Sequence, residues 1–340
     1  MKESPSVHIL QRYRRIALTT IGAVVFLILV GGIVRSTGAG MGCPDWPKCF
    51  GMWIPPTDES QLPVNYQEMY ANHGYGDATF NVVKTWIEYI NRLIGVVIGF
   101  LIIGTYYFSR LLRSYDGRIQ ALSLLALVMV VFQGWLGGQV VDTNLAVWMI
   151  SIHMLVALAI LLVLLAALMF SYRVELAALR VSVNKNAAWT GVAVLLLTLA
   201  QTLLGIQVRE SVDVVSASFG SGNRGEWIEA LAPVYAMHRY FYYAVVAGLG
   251  AWLWLLRDAV KAHALYRAMA VSLLSLVGAE VLLGLIMHHF GIPPFAQPLH
   301  LVLATVIFGL EFCLTGIILF GHSAGKPPKA ENSSVLSHTS

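Results

Sequence analysis

Long apolar segments recur along the chain and are separated by short polar ones. Segments of about 20 residues, the length that crosses a bilayer as a helix, occur near 16–34, 89–109, 119–140, 148–171, 188–209, 236–256, 267–287 and 298–320. They are continuous in Leu, Val, Ile and Ala and lack the two-residue alternation of a membrane barrel, and a lipid-exposed backbone must form its own hydrogen bonds. The pattern predicts an all-α, polytopic membrane protein with eight transmembrane helices.

Composition and charge support a membrane protein and predict its orientation. Hydrophobic residues make up 57% and charged residues 12% of the chain, whereas soluble domains carry about 25% charged residues. Because Lys and Arg favour the cytoplasmic side, both termini are predicted to be cytoplasmic and the chain to cross the cell (inner or plasma) membrane repeatedly. This bias accounts for the net charge of +4, so no nucleic-acid partner is expected. The cationic residues on the predicted cytoplasmic side are Lys2, Arg12, Arg14, Arg15, Arg110, Arg113, Arg118, Arg173, Arg180, Lys185, Arg257, Lys261, Arg267, Lys326 and Lys329.

The chain contains an internal repeat. One offset of 147 residues carries Asn91 to His238, Arg92 to Arg239, Leu136-Gly137 to Leu283-Gly284, His153 to His300 and Ala157 to Ala304. At a second offset, the segment from Gly31 to Arg35 resembles the segment from Gly205 to Arg209. We therefore expect two tandem four-helix units of the same orientation, related by internal pseudo-symmetry about an axis along the membrane normal.

These helices and loops give a predicted order of segments. It consists of a cytoplasmic lead (1–15), an N-terminal unit (16–172), a cytoplasmic linker (173–187), a C-terminal unit (188–321) and a disordered cytoplasmic tail (322–340). The N-terminal unit includes a long outer loop (36–87), and its aromatic residues favour a packed cap over the membrane surface. The matching loop of the second unit, near 210–235, is shorter and rich in Gly and Ser.

Four repeat positions lie at similar depth near the outer face, and three of them are histidines. His238 and His300 form a complete pair, while the equivalent positions in the first unit are Asn91 and His153. Two histidines on neighbouring helices at one depth suit bis-imidazole ligation of a haem iron. The alternative, a hydrogen bond from each histidine to a carbonyl across helices, is favoured for a lone histidine and less so for a pair with repeated spacing.

Four arginines accompany these positions. Arg92 and Arg239 directly follow two of them, and Arg35 and Arg209 end the predicted first helix of each unit on the same side. Arginine binds carboxylates such as haem propionates bidentately. Snorkelling to the membrane interface is the alternative.

Glu88 breaks the symmetry of the repeat, because its counterpart at an offset of 147 is Tyr235. Glu88 lies one helical turn before Asn91 and is expected to point toward the same pocket as His153. A carboxyl at the edge of an apolar pocket can act as an acid, a base or an electrostatic stabiliser. The complete histidine pair therefore suits electron transfer, and the first unit suits the chemical step.

The remaining polar residues carry weaker signals. Cys43 and Cys49 lie in the first outer loop, where a local disulfide is feasible and a zinc site, with only these two obvious ligands, is poorly supported. Gln133, Gln139, Gln201 and Gln207 favour interhelical hydrogen bonds. For Glu280 and Glu311 a proton path is one option, and an interhelical bond to an unidentified partner is preferred. His288 and His289 are expected at the surface.

The segment 31–49, Gly-Gly-Ile-Val-Arg-Ser-Thr-Gly-Ala-Gly-Met-Gly-Cys-Pro-Asp-Trp-Pro-Lys-Cys, resembles the haem A synthase family. The resemblance covers nearly all of residues 16–320 and includes Ile-Glu-Tyr-Ile-Asn-Arg (87–92), Gln-Gly-Trp-Leu-Gly-Gly (133–138), His153, His238-Arg239 and His300. It implies oxidation of the C8 methyl of haem O to the formyl group of haem A for terminal oxidases. It also implies a haem b bound by His238 and His300, with substrate in the N-terminal half. The family's essential glutamate matches Glu88, and its outer-loop cysteines match Cys43 and Cys49.

One position departs from this resemblance, since many members of the family have histidine where this chain has Asn91. His153 is then expected to be the only protein ligand to the substrate iron, with Asn91 hydrogen-bonding nearby. Expected partners are haem O, a haem O synthase, terminal oxidase assembly and an unidentified electron acceptor, and a homo-oligomer is a further option. Two rival functions are a di-haem cytochrome b that relays electrons and a haem transporter or chaperone.

Overall fold

The computed structural model describes residues 7–76, 79–179, 183, 185–219, 224–231 and 233–324. Regular structure within these ranges is helical, apart from an isolated β-bridge between Cys49 and Met52, so the all-α class is confirmed. The α-helices are α1 (Val7–Ser36), α2 (Tyr66–Met69), α3 (Val82–Arg110), α4 (Gly117–Asp142), α5 (Val147–Ser171), α6 (Arg173–Ala178), α7 (Lys185–Phe219), α8 (Arg224–Ala230), α9 (Pro233–Leu255), α10 (Arg257–Ala262), α11 (Ala264–His289) and α12 (Ala296–Ala324). Two short 3₁₀ turns, Glu59–Gln61 and Ala71–His73, lie between α1 and α3.

Seven helices in the described part of the chain are long and apolar enough to cross a membrane. They are α1, α3, α4, α5, α11 and the segments Asn186–Ser216 of α7 and Ala296–Phe320 of α12. The remaining long helix, α9, has 23 residues, enough for about 34 Å of helix. Its hydropathy is diluted by His238, Arg239 and a run of tyrosines. The structure is therefore that of a multi-pass membrane protein, with seven spans identified by length and composition.

Three helices extend beyond the boundaries expected from the apolar pattern, and one of them, α3, begins at Val82, inside the expected outer loop 36–87. Helix α1 begins at Val7, within the expected lead, because Tyr13 is fully buried and its hydroxyl lies 3.3 Å from Ser123 Oγ. Helix α7 continues to Phe219, well past the expected end at residue 209. Residues 1–6 and 325–340, at the two ends of the chain, lie outside the described residues.

The extension of α7 has an apolar cause. Val212 and Val215 are buried against Trp227 of α8 and Ile292. This small core buries the apolar face of the last turns of α7. The segment after residue 209, which was expected to be a Gly/Ser-rich loop, is therefore helical up to Phe219. Arg209 consequently lies within α7 and does not end it.

The long helices pack extensively against one another. In the first part of the chain α1 packs against α3 and α4 against α5, and in the second part α7 packs against α9 and α11 against α12. Helix α12 also contacts α1, α5 and α7, which brings the two parts together. Separate apolar cores form around Ile102 and Leu161 in the first part and around Trp252 and Leu273 in the second. Helix α12 thus packs between helices of both parts of the chain.

The segment between α1 and α3, residues 37–81 and hereafter the α1–α3 loop, has a core of its own. Phe50 makes edge-on contacts with Tyr66, Tyr70, Tyr75 and Phe80, with ring centroids 5.2 to 6.2 Å apart. Together with the buried cysteines these rings give the loop an apolar interior. The aromatic residues therefore form a packed cap, as their number in this segment predicts.

The α1–α3 loop lies directly on the start of α3. A side chain on Gly42 would place its Cβ 2.4 Å from the carbonyl oxygen of Lys84, so only glycine permits this approach. The Thr85 hydroxyl donates to the Gly42 carbonyl at 2.8 Å, and the Tyr75 hydroxyl donates to the Met41 carbonyl at 2.8 Å. Backbone contact thus fixes the loop above Glu88, one turn further along α3.

Candidate functional site

His238 and His300 face each other across the second part of the chain. Their ring centroids lie 6.3 Å apart, and the ring planes are inclined by 75°. His238 lies in the second turn of α9, and its carbonyl accepts a hydrogen bond from Gln201 Nε2 at 3.0 Å. Its ring packs closely on α7, where a Cβ on Gly205 would lie 3.2 Å from His238 Cε1. The predicted pair is therefore brought together, with His238 Nδ1 buried and without a hydrogen-bond partner among the described residues.

His300 has a carboxylate beside it. Its Nδ1 lies 3.1 Å from Oε1 of Glu280 on α11, and the two side chains are 23% and 17% exposed. Gly284, one turn further along α11, also faces the ring, since a Cβ there would lie 3.8 Å from His300 Cε1. The sequence predicts an interhelical partner for Glu280 without naming it, and the structure identifies that partner as His300.

The first part of the chain places Asn91 and His153 in comparable surroundings. Gly137 faces His153, with a Cβ-to-Cε1 distance of 3.6 Å, and Gly31 faces Asn91, with a Cβ-to-Oδ1 distance of 3.9 Å. Gln133 Nε2 donates to the His153 carbonyl at 2.9 Å, which confirms its predicted interhelical bond. Asn91 Oδ1 and His153 Nδ1 are both buried without a hydrogen-bond partner among the described residues.

Glu88 is buried and both of its carboxylate oxygens are engaged. Its residue exposure is 4%, its Oε2 accepts from the Cys43 amide at 2.8 Å, and its Oε1 pairs with Arg92 one turn further along α3. These contacts differ from the expectation that Glu88 points toward His153. The carboxylate joins α3 to the α1–α3 loop, because the Cys43 amide and the Arg92 guanidinium both donate to it.

Arg92 also turns toward the α1–α3 loop. Its guanidinium donates to the carbonyls of Asp45 at 2.7 Å, Lys48 at 2.8 Å and Cys43 at 3.2 Å, in addition to its pair with Glu88. Its donors are thus largely used within the protein. The sequence could not distinguish these carbonyls from haem carboxylates as partners for an interfacial arginine, because guanidinium binds both.

Cys43 and Cys49 form a disulfide, as the sequence analysis anticipated. The ring that they close contains Asp45, whose carboxylate accepts from the amides of Phe50 at 2.6 Å and Gly51 at 2.8 Å. All three loop carbonyls that bind Arg92 also belong to residues of this ring. The disulfide segment is therefore held from inside by Asp45 and from α3 by Glu88 and Arg92.

Tyr75 of the α1–α3 loop has a buried hydroxyl that donates to the backbone just before the disulfide segment. Burial raises the pKa of Tyr75, and the negative charge of Glu88 adds to the rise. The hydroxyl therefore stays protonated and continues to donate to the Met41 carbonyl through the physiological range.

Arg35 and Arg209 meet at Asp213, a residue that the sequence analysis did not single out. Arg35 Nη2 lies 2.8 Å from Asp213 Oδ2, and Arg209 Nη2 lies 2.8 Å from Asp213 Oδ1. Arg209 also donates to the Arg35 carbonyl at 3.1 Å, which links α7 to α1. The sequence did contain a signal for this ion pair, because Arg209 and Asp213 are four residues apart, a spacing at which opposite charges meet on a helix. Arg239, by contrast, has an exposed side chain on α9.

Tyr235, at the start of α9, and His288, at the end of α11, form a further pair. The Tyr235 hydroxyl lies 2.7 Å from His288 Nδ1, and the rings are stacked with centroids 6.1 Å apart. His288, which was expected at the surface, is only partly exposed and is bonded across helices. Its neighbour His289 is exposed, as expected.

The fold and these sites together define a multi-pass helical membrane protein with partly buried histidines in two parts of its chain. A family model described as COX15-CtaA, cytochrome oxidase assembly protein, matches residues 14–312, and the chain belongs to this family.

Curated relatives agree with that assignment. A haem A synthase from Shewanella oneidensis is 26% identical over 233 residues, covering 67% of this chain and 68% of that protein. One from Sphingopyxis alaskensis is 26% identical over 314 residues, covering 84% and 85%. A third, from Granulibacter bethesdensis, is 31% identical over 138 residues, covering 37% and 36%.

Proposed function

We propose that this protein is a haem A synthase, a membrane oxidoreductase that converts the C8 methyl of haem O into the formyl group of haem A for terminal oxidase biogenesis. Membership of the COX15-CtaA family supports the activity, and so do relatives of that name matched along much of their length. The observation that carries the proposal furthest is the presence of two similar sites, of which only one has a complete histidine pair. A single enzyme that holds one haem and transforms another has a use for two sites whose surroundings differ.

The complete pair fits a haem b. The His238 and His300 rings lie 6.3 Å apart, centre to centre, on two different helices, so one iron would have an imidazole available from each helix. Gly205 and Gly284 leave room for the rings, and His238 Nδ1 lacks a protein partner within the described residues. When bound, a haem b would supply an iron that accepts electrons taken from the substrate.

The first part of the chain is proposed to receive haem O. His153 is the candidate protein ligand for the substrate iron, and Asn91, with its free buried carbonyl oxygen, is placed to accept a hydrogen bond. A fixed bis-histidine site would hold the substrate as tightly as a cofactor. Asparagine at position 91 thus favours exchange of haem O for haem A at this site.

We assign each arginine a role according to whether its N–H donors are still available to a haem carboxylate or are already bound to protein oxygens. Arg239 is exposed beside the His238 site and is the best candidate to bind haem b carboxylates. Arg35 and Arg209 share Asp213, so a propionate on either side would compete with that carboxylate. Arg92 is better assigned to holding the α1–α3 loop than to binding the substrate directly, because three loop carbonyls and Glu88 already accept from it.

Glu88 is proposed to be the catalytic carboxylate. Its buried negative charge, one turn from Asn91, would stabilise positive charge that develops when the substrate is oxidised, or take up a proton. The ion pair with Arg92 and the Cys43 amide hold the carboxylate in one orientation. A preorganised charge of this kind needs no rearrangement during the reaction.

The repeat is proposed to extend to the whole fold, as eight spans in two four-helix units with α9 as the eighth. Equivalent contacts support it: Gly31 faces Asn91 as Gly205 faces His238, and Gly137 faces His153 as Gly284 faces His300. The packing of α1 on α3 and α4 on α5 likewise corresponds to that of α7 on α9 and α11 on α12. With eight spans and the Lys/Arg bias, both termini lie on the cytoplasmic side of the cell membrane.

The decisive experiment identifies the product. The chain is co-expressed with a source of haem O, and the extracted haems are separated and identified by mass. We expect haem A and a hydroxylated intermediate. Unconverted haem O alone, from protein shown to be folded and membrane-inserted, would exclude the synthase and favour a haem transporter. Retention of two stable haem b groups would favour the electron relay.

A further inference from the structure

Glu280 is the one intramembrane carboxylate that lies against a candidate haem ligand in the described part of the chain. Its Oε1 is 3.1 Å from Nδ1 of His300, although the present ring orientation does not align the two atoms for a hydrogen bond. Glu280 and Gly284 lie one turn apart on the face of α11 that packs against α12. With Nδ1 facing the carboxylate, the other ring nitrogen of His300 is left for a metal.

The equivalent position in the first part of the chain carries an amide. An offset of 147 residues relates Glu280 to Gln133, and Gln133 donates to the carbonyl of His153 and not to its ring. The imidazole of His153 consequently has no carboxylate at this position. The two sites therefore differ both in their candidate ligands and in the residue next to the ligand, which is Glu280 in the second part of the chain and Gln133 in the first.

A carboxylate behind a metal-bound imidazole has a known physical effect. When it accepts the Nδ1 proton in a hydrogen bond, it fixes the ring orientation and makes the ligating nitrogen more basic. A more basic ligand stabilises the higher oxidation state of iron and lowers its reduction potential. A neutral amide at the same place supplies much less of this effect, because it carries no charge.

We propose that Glu280 is a positioning residue for His300: it orients the imidazole toward the haem b iron and lowers the potential of that haem. This inference rests on the proposed function only in that His300 must be a haem ligand. It gives the two sites different electronic properties, with the stronger axial ligand in the second. It also explains an acidic side chain within a membrane helix, which is costly to retain without a role.

The test is a redox titration of the low-spin haem in the purified full-length chain, comparing the parent with Glu280→Gln, a substitution of nearly the same size. We expect Glu280→Gln to retain haem and to raise its midpoint potential. If the carboxylate favours the oxidised form about tenfold, in line with the effects of such outer groups, the shift is about 59 mV for a one-electron couple. An unchanged potential in the Gln variant would overturn the inference.

Glu311→Gln is the matched control. Glu311 is also a buried carboxyl, on the same helix as His300 but eleven residues further along, and it accepts a hydrogen bond from Thr198 at 3.1 Å. Its substitution removes a similar group without touching the ligand, so the potential should remain near that of the parent. An equal shift in both variants would show a general effect of charge and would contradict a specific role for Glu280.

A second pair of variants decides the question if Glu280→Gln does not accumulate. Glu280→Asp and Glu280→Asn have the same shape and differ in charge, and the Asp variant should have the lower potential of the two. Equal potentials would refute the proposal. Absence of low-spin haem from the folded parent would instead refute the haem b site, and this outcome is distinguished by recording the parent spectrum first.

Discussion

At the scale of single residues, Glu88 and Tyr235 show how the two parts of the chain diverge. They are 147 residues apart in sequence, yet the carboxylate binds the α1–α3 loop whereas the phenol pairs with His288 of α11. The first unit therefore has a buried negative charge next to its candidate site, and the second has a neutral hydrogen bond. This contrast is the basis for assigning the chemical step to the first unit and electron handling to the second.

The ligand assignment predicts a spectroscopic result. His238→Ala or His300→Ala should remove the low-spin haem b spectrum, because one axial nitrogen is lost, and should reduce haem content about tenfold or more. Absorption spectra of the purified chain measure this. His289→Ala is the control, since His289 is exposed, and it should leave the spectrum unchanged. Unaltered spectra in both ligand variants would exclude this pair as the haem site.

Glu88→Gln should separate haem binding from conversion. The variant keeps the size of the side chain but loses its charge, so we expect haem b to be retained and formation of haem A to fall about 100-fold or more. Extracted haems are quantified by mass. Glu59→Gln removes a carboxylate of the α1–α3 loop that accepts from the Tyr66 hydroxyl at 2.9 Å, and it should convert haem O normally. Normal conversion by Glu88→Gln would disprove a catalytic role for Glu88.

At the scale of elements, the α1–α3 loop is attached to α3 through charge and backbone contacts. Glu88 and Arg92, with side chains only 5% and 13% exposed, bind residues of the disulfide-closed segment from below. Burial makes this attachment strong, since removal of one partner leaves the other buried and unpaired. The loop is therefore a rigid cover beside the first-unit site and is held from within the membrane helix.

Arg92→Gln should release this cover. Loss of one partner of a buried ion pair costs about 3–5 kcal/mol, so we expect amides of residues 39–52 to exchange with deuterium far faster while the spanning helices stay protected. Hydrogen exchange in detergent, followed by mass spectrometry, measures this. Arg14→Gln is the control: it removes one partner of another ion pair, with Glu175, near the start of α1 and away from residues 39–52. Equal exchange in the two variants would contradict the proposed attachment.

At the scale of the whole molecule, the sequence predicted those features that depend on regular patterns. The apolar runs predicted the helices, and the repeat predicted that His238 and His300 meet. The partners of the arginines were not predictable: Arg92 binds loop carbonyls and Arg35 binds Asp213, because a guanidinium donates to any nearby oxygen and folding decides which oxygen is near. The extension of α7 was missed for a related reason, since Val212 and Val215 are covered by residues further along the chain, among them Trp227 and Ile292.

The number of spans determines on which side the C-terminus lies, and this provides a test of the fold. If α9 crosses the membrane, eight spans put both termini on one side; if it does not, seven spans put them on opposite sides. We expect α9 to span, because its 23 residues suffice and because α10, with Arg257 and Lys261, then lies on the cytoplasmic side favoured for cations. Reporter fusions should accordingly show cytoplasmic fluorescence for a C-terminal fluorescent protein and periplasmic phosphatase activity for a fusion after residue 291. Phosphatase activity at the C-terminus, with the same result after residue 262, would mean that α9 does not span and that the two units are not equivalent.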